Sequence, residues 1–173
     1  MSCYLTSGIT LDCMDSLGGV KTAWVLGGTI SSYTIDGTDE ITALTGTGTF
    51  YKFELPKDTA NYVETDTVAP ANGTVFYAQA LTMQFHKRET AKRNQIKLLA
   101  KNRDLKVVFE DNNGKYWFVG LTRGAQMTAG TSNTGTNPGD ANNYSVTLTA
   151  QEPAPAYELS GALSTITSGI TVQ

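Results

Sequence analysis

Residues 75–85 read VFYAQALTMQF and form the longest alternating segment of the chain. The odd positions carry mostly bulky apolar side chains, whereas the even positions become small and polar toward the end. Because successive side chains of a β-strand point to opposite faces, this alternation predicts one long strand with a buried and a solvent-facing side. The predicted strand is about twice the usual length.

The regions that follow this strand predict one helix and several further strands. Residues 88–102 are rich in Lys, Arg, Gln, Ala and Leu, which favour a helix. Residues 105–110 and 116–119 alternate on either side of the turn sequence Asp-Asn-Asn-Gly, so they predict a hairpin. Residues 143–149 again alternate apolar and polar side chains and predict another strand.

The regions that precede the long strand predict shorter strands. Residues 21–26 and 30–35 alternate, and the glycine pair Gly27-Gly28 is predicted to separate them. The pair Asp36-Gly37 indicates a hairpin turn. Residues 50–55 alternate aromatic or aliphatic side chains with charged ones and predict a third strand.

The composition agrees with a chain made mainly of strands. Charged residues make up 17% of the chain, and 17 glycines and many threonines stand where charges are usual. We therefore predict a single domain over residues 1–173 with a mainly β fold, a β-sandwich or barrel with one flanking α-helix. Within it we predict an N-terminal arm at residues 1–20, a long loop region at residues 36–74 and a C-terminal arm at residues 156–173.

Charge is distributed unevenly along the chain. Residues 1–85 carry a net charge of −6, residues 86–106 carry +6, and the whole chain carries −3. The basic segment is interpreted either as a solvated helix face or as a patch that meets acidic residues of a neighbouring copy. Contact with DNA is less favoured, because aromatic residues are not interleaved with the bases. The candidate charge contacts between subunits are Lys87, Arg88, Lys92, Arg93 and Lys97 on the basic side and Asp58, Glu64 and Asp66 on the acidic side.

Motifs for catalysis and metal binding are weak in this sequence. His86 is the only histidine, and no serine lies in a nucleophile motif. Cys3 and Cys13 have no histidine or further cysteine nearby, so they are interpreted as reduced thiols and not as a zinc site. We predict no catalytic residue, metal or cofactor, and the chain is predicted not to be an enzyme.

Targeting signals are equally weak. The first residues do not combine a basic start with an apolar segment, and no apolar run approaches the roughly 20 residues of a membrane span. The sequence therefore predicts synthesis in a cytoplasm and no contact with a membrane.

The order of these parts resembles the tail tube proteins of tailed bacteriophages, whose fold is shared by type VI secretion and contractile-injection tube proteins. The likeness lies in the long strand 75–85 that leads into a single basic helix, the hairpin around Asn112-Asn113-Gly114, and the strand 143–149 that leads to Pro153. The opening residues 13–21, CMDSLGGVK, are also similar to the beginnings of such proteins from phages of Bacteroidetes hosts.

This resemblance implies a virion structural protein, a tail tube subunit whose hexameric rings stack around a lumen for genome passage. The implied partners are other copies of the chain and other virion tail proteins, such as a sheath, a terminator or a baseplate, while DNA passes through the lumen without specific binding. The implied place is the virion tail, assembled in the host cytoplasm. The region 36–74 and the N-terminal arm would reach neighbouring copies. The candidate lumen-facing residues are Thr82, Gln84, Asn143, Ser145, Thr147 and Thr149.

Two alternatives stay open at this point. The chain is also consistent with another virion tail, neck or baseplate structural protein. A β-sandwich module that binds carbohydrate or protein is the second alternative, and its aromatic candidates are Trp24, Tyr51, Trp117 and Tyr144.

Overall fold

The computed structural model describes residue 5 and residues 7–173; residues 1–4 and 6, which include Cys3 and the start of the predicted N-terminal arm, lie outside the described residues. The described part of the chain forms ten strands and two helices. In chain order they are β1 (Val20–Ile35), β2 (Glu40–Glu54), β3 (Asn61–Ala69), β4 (Thr74–His86), α1 (Thr90–Lys101), β5 (Val107–Asp111), β6 (Tyr116–Val119), β7 (Gln126–Asn133), β8 (Asn143–Glu152), β9 (Tyr157–Leu159), α2 (Leu163–Ile166) and β10 (Thr167–Val172).

The first sheet closes on itself as a five-stranded barrel. Its strands follow the order β1, β5, β6, β9 and β2, and β2 pairs back onto β1 in a long antiparallel ladder. β10 pairs in parallel with β2 beyond the short contact that β9 makes. One cluster of large side chains fills the barrel and consists of Trp24, Leu26, Ile41, Leu44, Phe50, Val108, Phe118, Leu121, Leu159, Leu163 and Ile170.

The second sheet is antiparallel, with the strand order β3, β4, β8 and β7. Its inner face packs on the wall of the barrel, where Leu81 of β4 and Val25 of β1 belong to the same buried cluster. β1 is therefore buried on both sides over residues 22–26, since Val25 faces the second sheet while Trp24 and Leu26 face the barrel interior. The predicted mainly β fold, a barrel and sandwich with a flanking helix, is confirmed.

The helix α1 flanks the two sheets and covers their core with one edge. Leu99 is buried and Ile96 is partly buried against the core, whereas Leu98 is 60% exposed. The helix follows the long strand, as predicted, but begins at Thr90, with Glu89 at its N-cap. His86 is the last residue of β4 and is exposed.

The predicted loop region 36–74 is wrong, because most of it is strand. β1 and β2 form one hairpin that turns at residues 36–39, and β3 follows as an edge strand of the second sheet. The glycine pair in β1 does not interrupt the strand, because Gly28 faces Gly48 and the two backbones approach closely there. These strands were not predicted because many of their side chains are exposed on both faces. A strand with two exposed faces shows no alternation of apolar and polar residues in the sequence.

The predicted C-terminal arm at residues 156–173 is also wrong. β9 joins β6 to β2 and closes the barrel, α2 follows, and β10 pairs with β2. Leu159, Leu163 and Ile170 from this segment are buried in the barrel. The apolar positions are too few and too irregularly spaced to predict this burial, which depends on the barrel being present.

Residues 7–19 contain neither helix nor strand, and β1 begins at Val20. Two asparagines of the β5–β6 turn hold the root of this segment. The side chain of Asn113 accepts a hydrogen bond from the Leu17 amide at 2.8 Å and donates one to the Leu17 carbonyl at 2.9 Å. The side chain of Asn112 donates to the Gly18 carbonyl at 2.6 Å. The segment is thus anchored at its root, and the side chains before it are exposed.

Candidate assembly surface

The second sheet has a face that points away from the core, which we call the outer face. The side chains on its inner face, such as Leu81, Met83 and Val146, are buried. Alternation therefore places the intervening residues of β4 and β8 on the outer face, where they are only partly buried. The structure brings all six predicted lumen-facing residues together on this face: Thr82, Gln84, Asn143, Ser145, Thr147 and Thr149.

Polar side chains on the outer face bond to one another across the strands. The hydroxyl groups of Thr82 and Thr147, which face each other in the register, lie 3.2 Å apart. The side-chain amide of Asn143 donates a hydrogen bond to the Gln84 side-chain oxygen at 3.3 Å. These contacts link β4 to β8 and leave the rest of the polar surface open to solvent.

The outer face carries no Asp, Glu, Lys or Arg at any position that the register assigns to it. An ordinary protein surface is about a quarter to a third charged, so a four-stranded face without such residues is unusual. Its positions are Asn61, Val63, Thr65, Thr67, Ala69, Thr74, Phe76, Ala78, Ala80, Thr82, Gln84, His86, Gln126, Ala129, Thr131, Asn133, Asn143, Ser145, Thr147, Thr149 and Gln151.

Both edges of the second sheet are open in the part of the chain that the structure describes. β3 and β7 are the terminal strands, and each pairs on one side only. Monomeric proteins usually protect such edges with charged residues, proline or a covering element. β7 has the sequence QMTAGTSN, with neither charge nor proline, and seven of its eight residues are exposed. This edge strand is suited to pairing with another chain.

The predicted basic contacts divide into paired and unpaired residues. Lys87 and Lys92 both reach Glu89, with nitrogen–oxygen distances of 2.6 and 3.9 Å, and Lys92 also donates to the His86 carbonyl at 2.6 Å. The ion pair raises the pKa of Lys87 and lowers the pKa of Glu89.

The other three predicted basic residues form no salt bridge within the described part of the chain. The guanidinium of Arg88 lies 5.8 Å from the centre of the Tyr144 ring. Arg93 and Lys97 are exposed on α1, and neither forms a salt bridge with any residue that the structure describes. Of the five predicted basic contacts, Arg93 and Lys97 are therefore the residues most available to contact another subunit.

The predicted acidic contacts also differ from one another. Asp58 and Asp66 are exposed, and Asp66 pairs with Tyr77 in the register, far along β4 from the basic helix. Glu64 is used inside its own subunit. Its carboxylate accepts hydrogen bonds from the Tyr62 hydroxyl at 2.7 Å, the Ala156 amide at 2.8 Å and the Gln79 side chain at 3.3 Å.

An open cavity of about 370 Å³ lies beside Glu64. Its walls include Tyr62, Phe109 and Trp117, and the rings of Tyr62 and Phe109 are 4.7 Å apart. Burial, followed by the hydrogen bond to Glu64, raises the pKa of Tyr62, so its hydroxyl stays protonated and donates to the carboxylate. Trp117 is one of the aromatic candidates predicted from the sequence, whereas Tyr62 is not. The other aromatic candidates lie elsewhere: Trp24 and Tyr144 are buried, and Tyr51 is half exposed on β2.

Residues 5 and 7–173 contain neither a candidate metal site nor a helix suited to crossing a membrane. In this range no three His, Cys, Asp or Glu side chains are grouped so that they could hold a metal ion. Neither of the helices described above has the length and apolar character that crossing a membrane requires.

Three comparisons, with family models, with curated proteins and with solved structures, found no match to this chain. Its function is therefore inferred from its own sequence and geometry.

Proposed function

We propose that the chain is a virion structural protein, a tail tube subunit whose hexameric rings stack around a lumen for genome passage. The observation that carries this proposal is the uncharged outer face of a four-stranded sheet whose two edges are open. The hexameric ring and the phage context come from the resemblance of the sequence. The role is structural, and it requires no catalytic residue or cofactor.

The direction of the strands supports closure into a ring. Three antiparallel pairings separate β3 from β7, so these two edge strands run in opposite directions. The free edge of β7 in one copy can therefore form an antiparallel ladder with β3 of the next copy. Repeated around an axis, this contact closes a ring in which no edge of the second sheet stays exposed.

The size and the chemistry of such a ring suit a channel. Six four-stranded sheets, at about 4.8 Å per strand, would make a ring roughly 115 Å around and roughly 37 Å across before strand tilt widens it. With the outer face turned inward, the lumen would be lined mainly by threonine, serine, asparagine, glutamine and alanine, together with Val63, Phe76 and His86. DNA binds proteins largely through cationic side chains that release counterions, so a lining without Lys or Arg lets DNA pass without sticking.

The separation of the charges supports stacking of the rings. Asp66 lies level with Tyr77, and Lys87 follows the other end of β4. At about 3.3 Å per residue, the acidic and basic groups are roughly 33 Å apart along the strand. A second ring placed head-to-tail would bring the acidic end of one copy toward Arg93 and Lys97 of another, and a contact that does not close on itself builds a filament. The tube would then join other tail proteins in a virion assembled in the host cytoplasm.

The first experiment is negative-stain electron microscopy of the purified chain over a concentration series, together with sedimentation velocity. We expect sixfold rings or hollow tubes. Rings that never stack would instead favour a terminator or baseplate ring. A chain that remains monomeric up to its highest soluble concentration would contradict the proposal.

A matched pair of variants tests the edge contact. Ala129→Lys with Thr131→Lys adds two charges to the outer face at the β7 edge and should abolish rings while leaving the circular dichroism spectrum unchanged. Ser164→Lys with Ser168→Lys adds the same charge on the exposed surface of α2 and β10 and should still assemble. Equal assembly of both variants would contradict pairing through β7.

A carbohydrate-binding module is the second candidate, and the cavity beside Glu64 is the observation that favours it. Aromatic rings next to carboxylate and amide groups suit the faces and hydroxyl groups of a sugar, and Asp111 and Asn113 also line this cavity. Glycan-array binding that is lost in Trp117→Ala but kept in Tyr51→Ala would support this function. No binding by the wild-type chain would exclude it.

A further inference from the structure

Two arginines line a polar cavity at the beginning of β7, which we call the arginine cavity. Its volume is about 330 Å³. Most of its lining consists of side chains that can donate hydrogen bonds, namely Arg103, Arg123, Gln126, Thr128, Thr149 and Gln151. None of the described residues that line it is Asp or Glu. A cavity with two positive charges and several neutral donors is suited to an anion.

The charges of the two arginines are not neutralised within the described part of the chain. Neither Arg103 nor Arg123 forms a salt bridge there. Asp104 lies beside the cavity, but its carboxylate is 2.8 Å from the Lys106 nitrogen. The buried carboxylate of Glu152 accepts hydrogen bonds from two backbone amides, one of which is the Arg123 amide at 2.8 Å. Both guanidinium groups are therefore available to a ligand.

The fold fixes the backbone that carries these arginines. Leu105 and Ala125, each two residues after one of the arginines, exchange two backbone hydrogen bonds of 2.8 and 2.7 Å. The neutral donors of the cavity lie on or beside two paired strands, since Gln126 of β7 pairs with Thr149 of β8. A site whose backbone is already fixed loses less conformational freedom when a ligand binds. The cavity is therefore formed within one subunit.

The donors of the arginine cavity match a terminal phosphate better than a carboxylate. A guanidinium group can bind two oxygens of either anion through parallel hydrogen bonds. A carboxylate has two oxygens and one charge, whereas the phosphate of a monoester has three acceptor oxygens and a charge of about −1.5 to −2 at neutral pH. Two arginines match that charge, and the amide and hydroxyl groups of the lining can bond to the remaining oxygen.

The surroundings of the cavity favour a compact ligand over a nucleic acid. The cavity shares Gln126, Thr149 and Gln151 with the outer face, and no Lys or Arg occupies a position that the register assigns to that face. A long polyanion would therefore find no continuous line of positive charge beyond the cavity. The volume lies near the lower end of the range of small-molecule sites, which is about 300–1,000 Å³.

We propose that the arginine cavity binds the phosphate group of a small phosphate monoester. Arg103 and Arg123 hold the phosphate oxygens, and the rest of the cavity leaves room for the group to which the phosphate is attached. This site does not depend on a sixfold ring or on pairing through β7.

Equilibrium dialysis with radiolabelled inorganic phosphate, at an ionic strength kept constant with sodium chloride, tests the site. We expect saturable binding of one phosphate per chain. Arg103→Gln and Arg123→Gln should each weaken it by about tenfold, since each removes a charged donor. The matched control is the double variant Arg93→Gln with Lys97→Gln, compared with Arg103→Gln with Arg123→Gln. Both double variants lose two positive charges, but Arg93 and Lys97 do not line the cavity, so the control should bind as the wild-type chain does. Equal binding by the two double variants, or no saturable binding by the wild-type chain, would overturn the proposal.

Chemical modification of the wild-type chain gives a second test that needs no variant. Phenylglyoxal modifies exposed arginines, and mass spectrometry measures the extent at each position. Inorganic phosphate should protect Arg103 and Arg123 but not Arg88 or Arg93. Equal protection of all four arginines, or none at any of them, would contradict the site.

Competition against labelled phosphate identifies the chemical class of the ligand. Phenyl phosphate, a monoester, should compete at least tenfold better than acetate, dimethyl phosphate or a single-stranded oligonucleotide without a terminal phosphate. Equal competition by dimethyl phosphate or the oligonucleotide would show that the cavity contacts a nucleic-acid backbone, and equal competition by acetate would show a carboxylate site; either would overturn the monoester. Phosphate binding without rings would leave this site intact and contradict the tube, whereas rings without phosphate binding would do the reverse.

Discussion

Replacement of Gly28 by alanine tests how the long β1–β2 hairpin is held together. Gly28 faces Gly48, and a Cβ added to Gly28 would collide with the Thr47 carbonyl oxygen and lie 2.8 Å from the Gly48 Cα. These obstacles are backbone atoms, so the strands themselves must separate. Overpacking costs about 1–3 kcal/mol, and in a chain of this size each kcal/mol lowers the Tm by about 2–4 °C. We therefore expect Gly28→Ala to lower the Tm by about 2–12 °C.

Thermal unfolding followed by circular dichroism measures this effect, and Gly37→Ala is the matched control. A Cβ at Gly37 has no atom within 4 Å, so this variant should keep the Tm of the wild-type chain or raise it slightly. All samples are compared at one low concentration, because assembly raises the apparent stability. Equal Tm values for the two variants would refute the idea that the glycine pair sets the approach of the strands.

Three further predictions concern the core, the partly buried carboxylate of Glu64 and a turn. Leu81→Ala should lower the free energy of unfolding by about 2–5 kcal/mol in urea titrations, because this side chain is wholly buried between the sheets. Thr147→Ala on the outer face should cost less than about 1 kcal/mol, and equal losses would contradict the assignment of the two faces. Glu64→Ala removes the acceptor of a tyrosine hydroxyl and a backbone amide and should cost about 1–3 kcal/mol; unchanged stability would show that this carboxylate is dispensable. Hydrogen bonds, the largest from a threonine hydroxyl, hold the pKa of Asp36 below its ordinary 3.8. The Asp36 carboxylate therefore stabilises the folded turn above that pH, and this stability is lost as the pH falls through the lowered folded pKa. The difference in Tm between the wild-type chain and Asp36→Asn should be present at pH 7 and vanish in strong acid, whereas a difference independent of pH would contradict this assignment.

The candidate assembly surface was predictable only where one side of a strand is buried. The candidate lumen-facing residues in β4 and β8 could be assigned to one common face because buried neighbours such as Leu81 and Val146 set the alternation. The edge strand β7 has no such buried neighbours, since seven of its eight residues, from Gln126 to Asn133, are exposed. Exposed threonine, glycine and serine carry no periodic signal, so the sequence does not indicate the extent of this strand.

The charge pattern of the sequence located the basic helix but not the state of each charge. Lys87 and Lys92 are occupied by Glu89, and Glu64 lies in a network of hydrogen bonds within its own chain. Distance along the chain hides the contacts of Glu64, because Glu64 and Ala156 are brought together only by the packing of β3 near β9. By contrast, Arg93 and Lys97 form no salt bridge with any other residue that the structure describes.

The sequence by itself determined the elements whose pattern is local: the long strand β4, the helix after it, the β5–β6 hairpin and the strand β8. Alternation and helix propensity act within a few residues, so they can be seen without the fold. Only the tertiary structure decided that β2 begins as early as Glu40, that β3, β9 and β10 are strands, that β9 closes a barrel, and that β3 and β7 are the edge strands of the second sheet. These features depend on backbone pairing between segments far apart in the chain. Every residue except proline has the same backbone donor and acceptor, so such pairing leaves little trace in the choice of side chains.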